Sequence, residues 1–331
     1  MWDDEWDAIA GNAPEAGFMQ SSYWAEFKRA EGCKSVRFGF FENDSLFGGA
    51  TIHFYPGDGQ EGFFICPEGP VIPWEDLDRS RACLRLLQSE VLQLAEGGEG
   101  GVGLRIEPHI PPPRPSLLRN WNRAPVDLTP VYSLILDIGQ SDESILAQMH
   151  QKGRYNFRLS QRHGVKVRSS SSLADIPHFY KLFIETAGRN SFFAEPYGFF
   201  LNLGSILFPK RNARLYLAEM NGEIIAGILV VFYGRRATYL YGGSSNLFRR
   251  FMPNYALHFA AFEEARQQGC VEYDFYGYDP FGQPDHLYAG FSRFKLQFGG
   301  NRQDSLGAHD FIFYDRLASR LLPRLAGKVG V

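Results

Sequence analysis

Arg37-Phe38-Gly39-Phe40-Phe41-Glu42-Asn43-Asp44, running on to Gly48-Gly49-Ala50-Thr51-Ile52, reads like a second stretch far along the chain: Arg214-Leu215-Tyr216-Leu217-Ala218-Glu219-Met220-Asn221-Gly222, running on to Ala226-Gly227-Ile228-Leu229-Val230. Each has an apolar strand, a turn built on Asn followed by Asp or Gly, and a second apolar strand, which is the pattern of a β-hairpin. One such hairpin in each half of the chain points to a duplicated α/β unit.

Around the first hairpin, the pattern predicts a helix over Ser22–Glu31 stopped by Gly32 and another over Leu77–Ala95 stopped by Gly97-Gly98. A strand at Val102–Glu107 follows, and then Pro108, Pro111, Pro112, Pro113 and Pro115 mark a connecting loop. The second half opens with a strand at Tyr132–Leu136. A single helix is expected next, capped by Ser141, weakened in the middle by Gly153 and ended by Gly164. A helix near Ala174–Gly188, the second hairpin, a strand at Ala237–Tyr241, a helix at Tyr255–Gln268 ended by Gly269 and a strand at Val271–Tyr276 complete an alternating α/β order. Asp310–Ala326 reads as a final helix returning to the first half.

A chain of 331 residues with 44% hydrophobic and 15% aromatic content can bury two cores. The acidic start, Met1-Trp2-Asp3-Asp4-Glu5-Trp6, lacks the basic, apolar character of a signal peptide, and no run approaches the roughly 20 apolar residues of a spanning helix. A cytoplasmic protein is expected, touching a membrane only through a ligand. Cys33, Cys66, Cys83 and Cys270 have no CxxC or metal-ligand spacing, so reduced packing residues and no metal are expected. A net charge of −3 argues against global attraction to nucleic acid, so a polyanion site has to be local, and no DNA partner is expected.

The local candidate is the segment 151–168, with six Lys or Arg and no acid. Arg154, Arg158 and Arg162 recur every four residues and share a helix face, with Lys152 beside them. Guanidinium forks match phosphate oxygens in pairs, so this face suits a phosphate polyanion; the competing reading is a solvated face paired with acids elsewhere. In Phe291-Ser292-Arg293-Phe294-Lys295-Leu296-Gln297-Phe298, Lys295 sits among aromatics, either as a snorkelling residue or as a cation meeting a phosphate or a developing oxyanion. Tyr239 and Tyr241 alternate on a strand and would share a face before Gly242-Gly243-Ser244-Ser245, a plausible ligand floor; packing is the alternative. Glu107 ends a strand beside the proline loop. No Gly-x-Ser-x-Gly or assembled nucleophile set is present, and acyl transfer from an already activated ester needs none.

Taken in order, Phe18–Lys28, Pro67-Glu68-Gly69-Pro70-Val71, Leu104–Pro108, the basic helix, Ala237–Ser245, Met252-Pro253-Asn254-Tyr255 and Phe294-Lys295 resemble the Fem family of peptidoglycan bridge-forming transferases over nearly the whole chain. The resemblance implies an α/β fold of two tandem acetyltransferase-like (GNAT) domains: residues 1–131 plus 307–331 on the acceptor side, and 132–306 on the aminoacyl-tRNA side. It implies an aminoacyltransferase that takes aminoacyl-tRNA as co-substrate, needs no other cofactor, and acts on an amine of a lipid-linked or UDP-linked peptidoglycan precursor. Lys28 matches a lysine at the nucleotide diphosphate, Glu107 an acid near the acceptor peptide, and Tyr239 and Tyr241 paired tyrosines at that peptide. Phe294 and Lys295 match the catalytic Phe-Lys pair at the tRNA acceptor end; Lys152, Arg154, Arg158 and Arg162 would hold phosphates. The chain lacks the family arginine near Ala194-Glu195, with Arg189 nearest, has Val102 where some members have tyrosine, and lacks the long helical arm of the larger members.

Two other enzyme classes fit parts of the pattern. An acetyl-CoA-dependent N-acetyltransferase would share the fold, but Arg249-Arg250-Phe251-Met252-Pro253-Asn254 offers no glycine-rich pyrophosphate turn. A tRNA-dependent ligase acting on a small metabolite or peptide natural product would use the same basic helix and lysine. A non-enzymatic RNA-binding module is disfavoured because no standard RNA-binding signature is present.

Overall fold

The computed structural model describes residues 2–57, 62–283, 286 and 288–314. Two compact units emerge, Met1–Val131 with Asp304–Val331, and Tyr132–Gln303. The first contains α1 (Asp3–Asn12), α2 (Ser22–Ala30), β1 (Lys34–Glu42), β2 (Ser45–Pro56), β3 (Gly62–Pro67), α3 (Leu77–Leu94), β4 (Gly101–Glu107) and β5 (Asn122–Arg123). The second runs through β6 (Tyr132–Asp137), α4 (Asp142–Gln148), α5 (Gln151–Arg162), β7 (Lys166–Ser170), α6 (Ile176–Asn190), α7 (Tyr197–Leu207), β8 (Ala213–Met220), β9 (Glu223–Tyr233), β10 (Arg236–Ser244), α8 (Pro253–Gln267), β11 (Glu272–Gly277), α9 (Ala289–Lys295) and β12 (Asn301–Asp304). The strand β13 (His309–Ile312) follows and belongs to the first unit.

Both hairpins form. Glu42 pairs with Ser45 and Met220 with Glu223 across two-residue turns. Asn43, Asp44, Asn221 and Gly222 all take positive φ, which matches the twist of the flanking strands. Each hairpin opens the same larger module, in which a third antiparallel strand is followed by a helix and a parallel strand. In the first unit the sheet order is β1-β2-β3-β4-β13-β5, with β3 parallel to β4 across α3. In the second it is β12-β6-β11-β10-β9-β8-β7, with β10 parallel to β11 across α8. Tandem GNAT-like architecture is therefore what the duplicated hairpin builds.

The helices bury the faces their periodicity dictates. On α3, Ser80, Cys83, Leu84, Leu87 and Val91 face the first sheet, and Asp76 caps the start by accepting the Arg79 N–H at 3.1 Å. In the second unit Leu257, Phe259 and Phe262 of α8 pack with Ile228, Val230, Tyr273 and Phe275 of the sheet. Burying each such side chain contributes about 1.5–3 kcal/mol.

Three expectations need correction. The helix expected from Ser141 to Gly164 is two helices, because Met149 and His150 are extended (ψ 148 and 144). His150 donates its N–H to Gln297 O and caps α5 by accepting the Lys152 N–H on Nδ1 at 3.2 Å. Gly153 is no weak point: a Cβ there would lie 2.6 Å from Gln297 O, so glycine is what lets α5 sit against the turn after α9. The final helix expected at Asp310–Ala326 is not helical where it is described; Asp310–Ile312 belong to β13, and 315–326 lie outside the described residues. The helices α1 and α7 and the strand β7 had not been anticipated.

The strand β13 returns to the first unit between β4 and β5 and is held by a buried ion pair. Arg105 reaches Asp310 with Nε at 2.7 Å and Nη2 at 3.0 Å, and Nη1 donates to Val126 O. Removing one partner leaves the other charge buried and uncompensated, at a cost of about 3–5 kcal/mol. We expect Asp310→Ala to lower the urea-unfolding free energy of the chain by that amount, whereas Asp78→Ala, removing a solvent-facing ion pair with Arg81, changes it by less than about 1 kcal/mol.

Candidate active site

Within the second unit, the sheet, α5, α6, α8 and α9 enclose a cavity of about 680 Å³. Its floor is the end of β10, Tyr239 and Gly242-Gly243-Ser244; its walls include Asn156, Asn190, Asn254, Tyr255, Phe291 and Phe294. Among the described residues five cationic side chains line it, Lys152, Arg189, Arg249, Arg250 and Arg293, and no carboxylate does. In a chain of net charge −3, this is a concentrated positive field around a concave site. Arg189 is fixed in place by donating to Ser244 O at 3.1 Å and to Asn246. Burial and the neighbouring Arg249 charge both push its pKa down.

Two cations flank the start of α8. Met252 takes the left-handed conformation (φ 55), Pro253 at the first turn has no N–H, and Tyr255 N–H already donates to Met252 O. The helix start therefore has few backbone donors to offer a pyrophosphate, and charge recognition falls to the side chains.

Behind the Tyr239 floor lies Lys295, only 6% exposed. Its Nζ donates to Gly277 O at 2.6 Å and lies 5.6 Å from the Tyr239 ring centre and 5.8 Å from that of Tyr288. Burial pulls its pKa down to about 7, opposed by the Asp274 carboxylate. Asp274 is itself buried, which raises its pKa against the pull of Arg236 and Lys295. His258 from α8 completes this inner layer. Its Nδ1 is 2.8 Å from the Tyr273 hydroxyl, its ring packs edge-on at 4.7 Å to Tyr239, and burial followed by the Lys295 charge pushes its pKa down to about 3, so the imidazole is neutral. Phe294 lines the cavity and packs on Tyr255 at 5.2 Å; Lys295 itself stands one layer back.

The expected tyrosine pair is split. Tyr239 pairs with Val230 and Tyr241 with the next residue, Leu229, because a bulge at Leu240 interrupts the register. One extra residue reverses the side-chain alternation. Tyr239 therefore faces α8 and the cavity, whereas Tyr241 faces the other side and packs on Phe183, Phe199 and Phe200. The basic helix is split as well. Lys152 joins the cavity with Asn156, while Arg154, Arg158 and Arg162 share a separate groove.

In the first unit, Lys28 is half-buried on α2 with Nζ 5.4 Å from the Tyr55 ring centre. Glu107 is 1% exposed, and its carboxylate accepts from Leu128 N–H at 3.0 Å, Thr129 N–H at 2.7 Å and Thr129 Oγ1 at 2.8 Å. Burial nonetheless pushes its pKa up to about 7. Both oxygens are thus committed to holding the 128–129 loop. Among the described residues no group of three or more His, Cys, Asp or Glu side chains forms a metal-holding set, and no helix is long and apolar enough to cross a membrane.

The acetyltransferase (GNAT) domain profile matches residues 148–296, the segment that builds this cavity. Along nearly the full length the chain is 23% identical to the Lipid II:glycine glycyltransferase of Staphylococcus haemolyticus, covering 97% of this chain and 94% of that protein. The same-named protein of Staphylococcus saprophyticus is 22% identical, with 94% and 91% covered. The crystal structure of FemX superposes with a TM-score of 0.87 at 20% identity, covering 97% of this chain and 98% of that one. The chain has the tandem GNAT fold seen in FemX. A tandem GNAT protein of the clavulanic acid pathway shares the fold less closely, with a TM-score of 0.57 at 11% identity. The similarity along nearly the full length is to aminoacyltransferases, and the inner polar layer of the second unit is the part that carries least signal in the sequence. Asp274, His258 and Tyr273 sit in ordinary-looking strand and helix segments, and what marks them is the nearness of Asp274 and His258 to Lys295 and the Tyr273 hydroxyl on His258. In the sequence Arg249 and Arg250 read only as residues standing in place of a glycine turn.

Burial of Lys295 is directly measurable. Lysine side-chain NMR, with Lys295→Met used for assignment, is expected to show one amine titrating near pH 7. A midpoint near the ordinary value of about 10.4 contradicts the buried placement.

Proposed function

We propose that this enzyme moves an aminoacyl group from aminoacyl-tRNA to an amine of a peptidoglycan precursor stem peptide, with a lipid-linked precursor as acceptor. The observation that carries the reading is the cavity of the second unit, lined among the described residues by five cations and no acid, with the buried Lys295 behind its floor. A phosphate-bearing donor suits such a site, and the donors for it come from side chains where an acetyl-CoA enzyme relies on backbone N–H groups. The Lipid II:glycine glycyltransferases to which the chain is similar along nearly its whole length support the acceptor class.

In this reading the 3′ end of the donor enters the cavity, its phosphates facing Lys152, Arg189, Arg249, Arg250 and Arg293. Phe294 and Tyr239 shape the wall against the ester. The acceptor amine, in its neutral form, adds to the ester carbonyl, an oxyanion develops, and collapse expels the ribose oxygen, which takes up the proton the amine loses. Lys295 supplies a desolvated positive charge behind Tyr239; in a low-dielectric wall such a charge favours the oxyanion more than water does. Asp274 and Gly277 O hold that ammonium in place. Two opposite pH limbs follow: deprotonation of the acceptor amine raises the rate with pH, and loss of the Lys295 proton lowers it as pH passes about 7. Lys28 and Glu107 belong to the acceptor side of this proposal, with Glu107 acting through the loop it holds rather than by direct contact.

The test is transfer of labelled amino acids from a charged total-tRNA pool to purified lipid-linked and UDP-linked precursors, with acetyl-CoA as a parallel donor. Lys295→Ala is expected to lower kcat about 10²–10³-fold, the usual loss for a removed oxyanion stabiliser, with the fold intact by thermal melting. Label arriving only from acetyl-CoA, or no transfer to either precursor, overturns the proposal.

A further inference from the structure

The arginines of α5 and the cavity lie on different sides of the same helix. At 100° per residue, Lys152 and Asn156 point about 140° round the axis from the mean direction of Arg154, Arg158 and Arg162. The first pair lines the cavity; the three arginines line an open groove of about 820 Å³ with Gln151, Tyr155 and Gln161, and among the described residues no acidic side chain borders it. Arg154 is committed to structure, since its Nη1 donates to the carbonyls of Ala147 and Met149 at the end of α4. Arg158 and Arg162 are exposed, one turn apart, and the Arg162 guanidinium lies 5.7 Å from the ring centre of Tyr155, itself 56% exposed.

We propose that this outer face of α5 is a second nucleic-acid contact, which grips the phosphate backbone of the duplex next to the donor's single-stranded 3′ end while the cavity holds that end. The inference rests on the tRNA-dependent reading above and assigns the part of the tRNA that reading leaves open. The chemistry of the groove decides between polyanions. Guanidinium groups, glutamine amides and one aromatic ring suit a phosphate backbone with sugar edges, and duplex RNA is recognised mostly by shape and backbone contacts. A membrane-lying helix needs a wide exposed apolar face. Here Phe157 is stacked on Phe259 in the core at 4.0 Å and Leu159 is half-buried, which leaves Tyr155 as the one exposed aromatic of α5.

The experiment compares wild type, Arg158→Gln/Arg162→Gln and Lys152→Gln/Arg249→Gln with two donors, full-length charged tRNA and an aminoacylated 3′ trinucleotide. It is combined with filter binding of uncharged tRNA over a salt series and co-sedimentation with vesicles containing 30% anionic phospholipid. The outer-face variant is expected to raise KM for tRNA about tenfold at unchanged kcat, and to reduce the slope of log K against log salt by about two, one per lost phosphate contact. It leaves the trinucleotide reaction unchanged, whereas the cavity variant impairs both donors. Wild-type kinetics in the outer-face variant overturn this inference alone. Vesicle binding lost with tRNA kinetics unchanged reassigns the face to a lipid surface. Absence of tRNA binding and transfer in the wild type overturns both this inference and the reading beneath it.

Discussion

An ammonium group withdrawn from water is expensive, and the second half of this chain is arranged around making one tolerable. The effective cost of burying an ion, after relaxation, is several kcal/mol unless partners replace the lost hydration. For Lys295 those partners are one carbonyl, Gly277 O, and one carboxylate, Asp274, both contributed by β11. Register between β11 and β6 breaks between Asp274 and Gly277, and Tyr276 takes a positive φ there. The strand end thus bends where it has to present both an acid and a carbonyl to one amine. His258 stays neutral in the same layer, so Lys295 faces no second cation. The result is an amine of lowered basicity behind the floor of a strongly basic cavity.

The duplicated architecture gives this constraint its setting. Both units use a hairpin, a third strand and a helix that crosses to a parallel strand. The second unit develops its cation-lined cavity where its crossover helix begins, with Met252 and Pro253 standing at the position a phosphate-binding turn would use. The first unit spends its buried charges on closure instead: Arg105 with Asp310 ties in the returning strand, and Glu107 ties down the loop before the second unit.

Much of this was legible in the sequence because it is local. Turn dipeptides with positive φ, helix stops at Gly32, Gly164 and Gly269, and strand-helix alternation read through to the structure. So did the face shared by Arg154, Arg158 and Arg162. What failed was non-local. The break between α4 and α5 depends on Gln297, distant in sequence, taking the His150 N–H, and the opposite facing of Tyr239 and Tyr241 depends on a single bulge residue. Strand alternation alone gives no sign of such a bulge. Asp274 and His258 looked like ordinary strand and helix positions because their meaning lies in what converges on them.

The central claim is that the cavity of the second unit takes the acceptor end of a charged tRNA. Its most direct test is titration calorimetry of the chain with a non-hydrolysable amide-linked aminoacyl-tRNA and, separately, with coenzyme A. One-to-one binding of the tRNA analogue that weakens steeply with salt, and no binding of coenzyme A, is the result expected here. Saturable binding of coenzyme A without any binding of the analogue would contradict it.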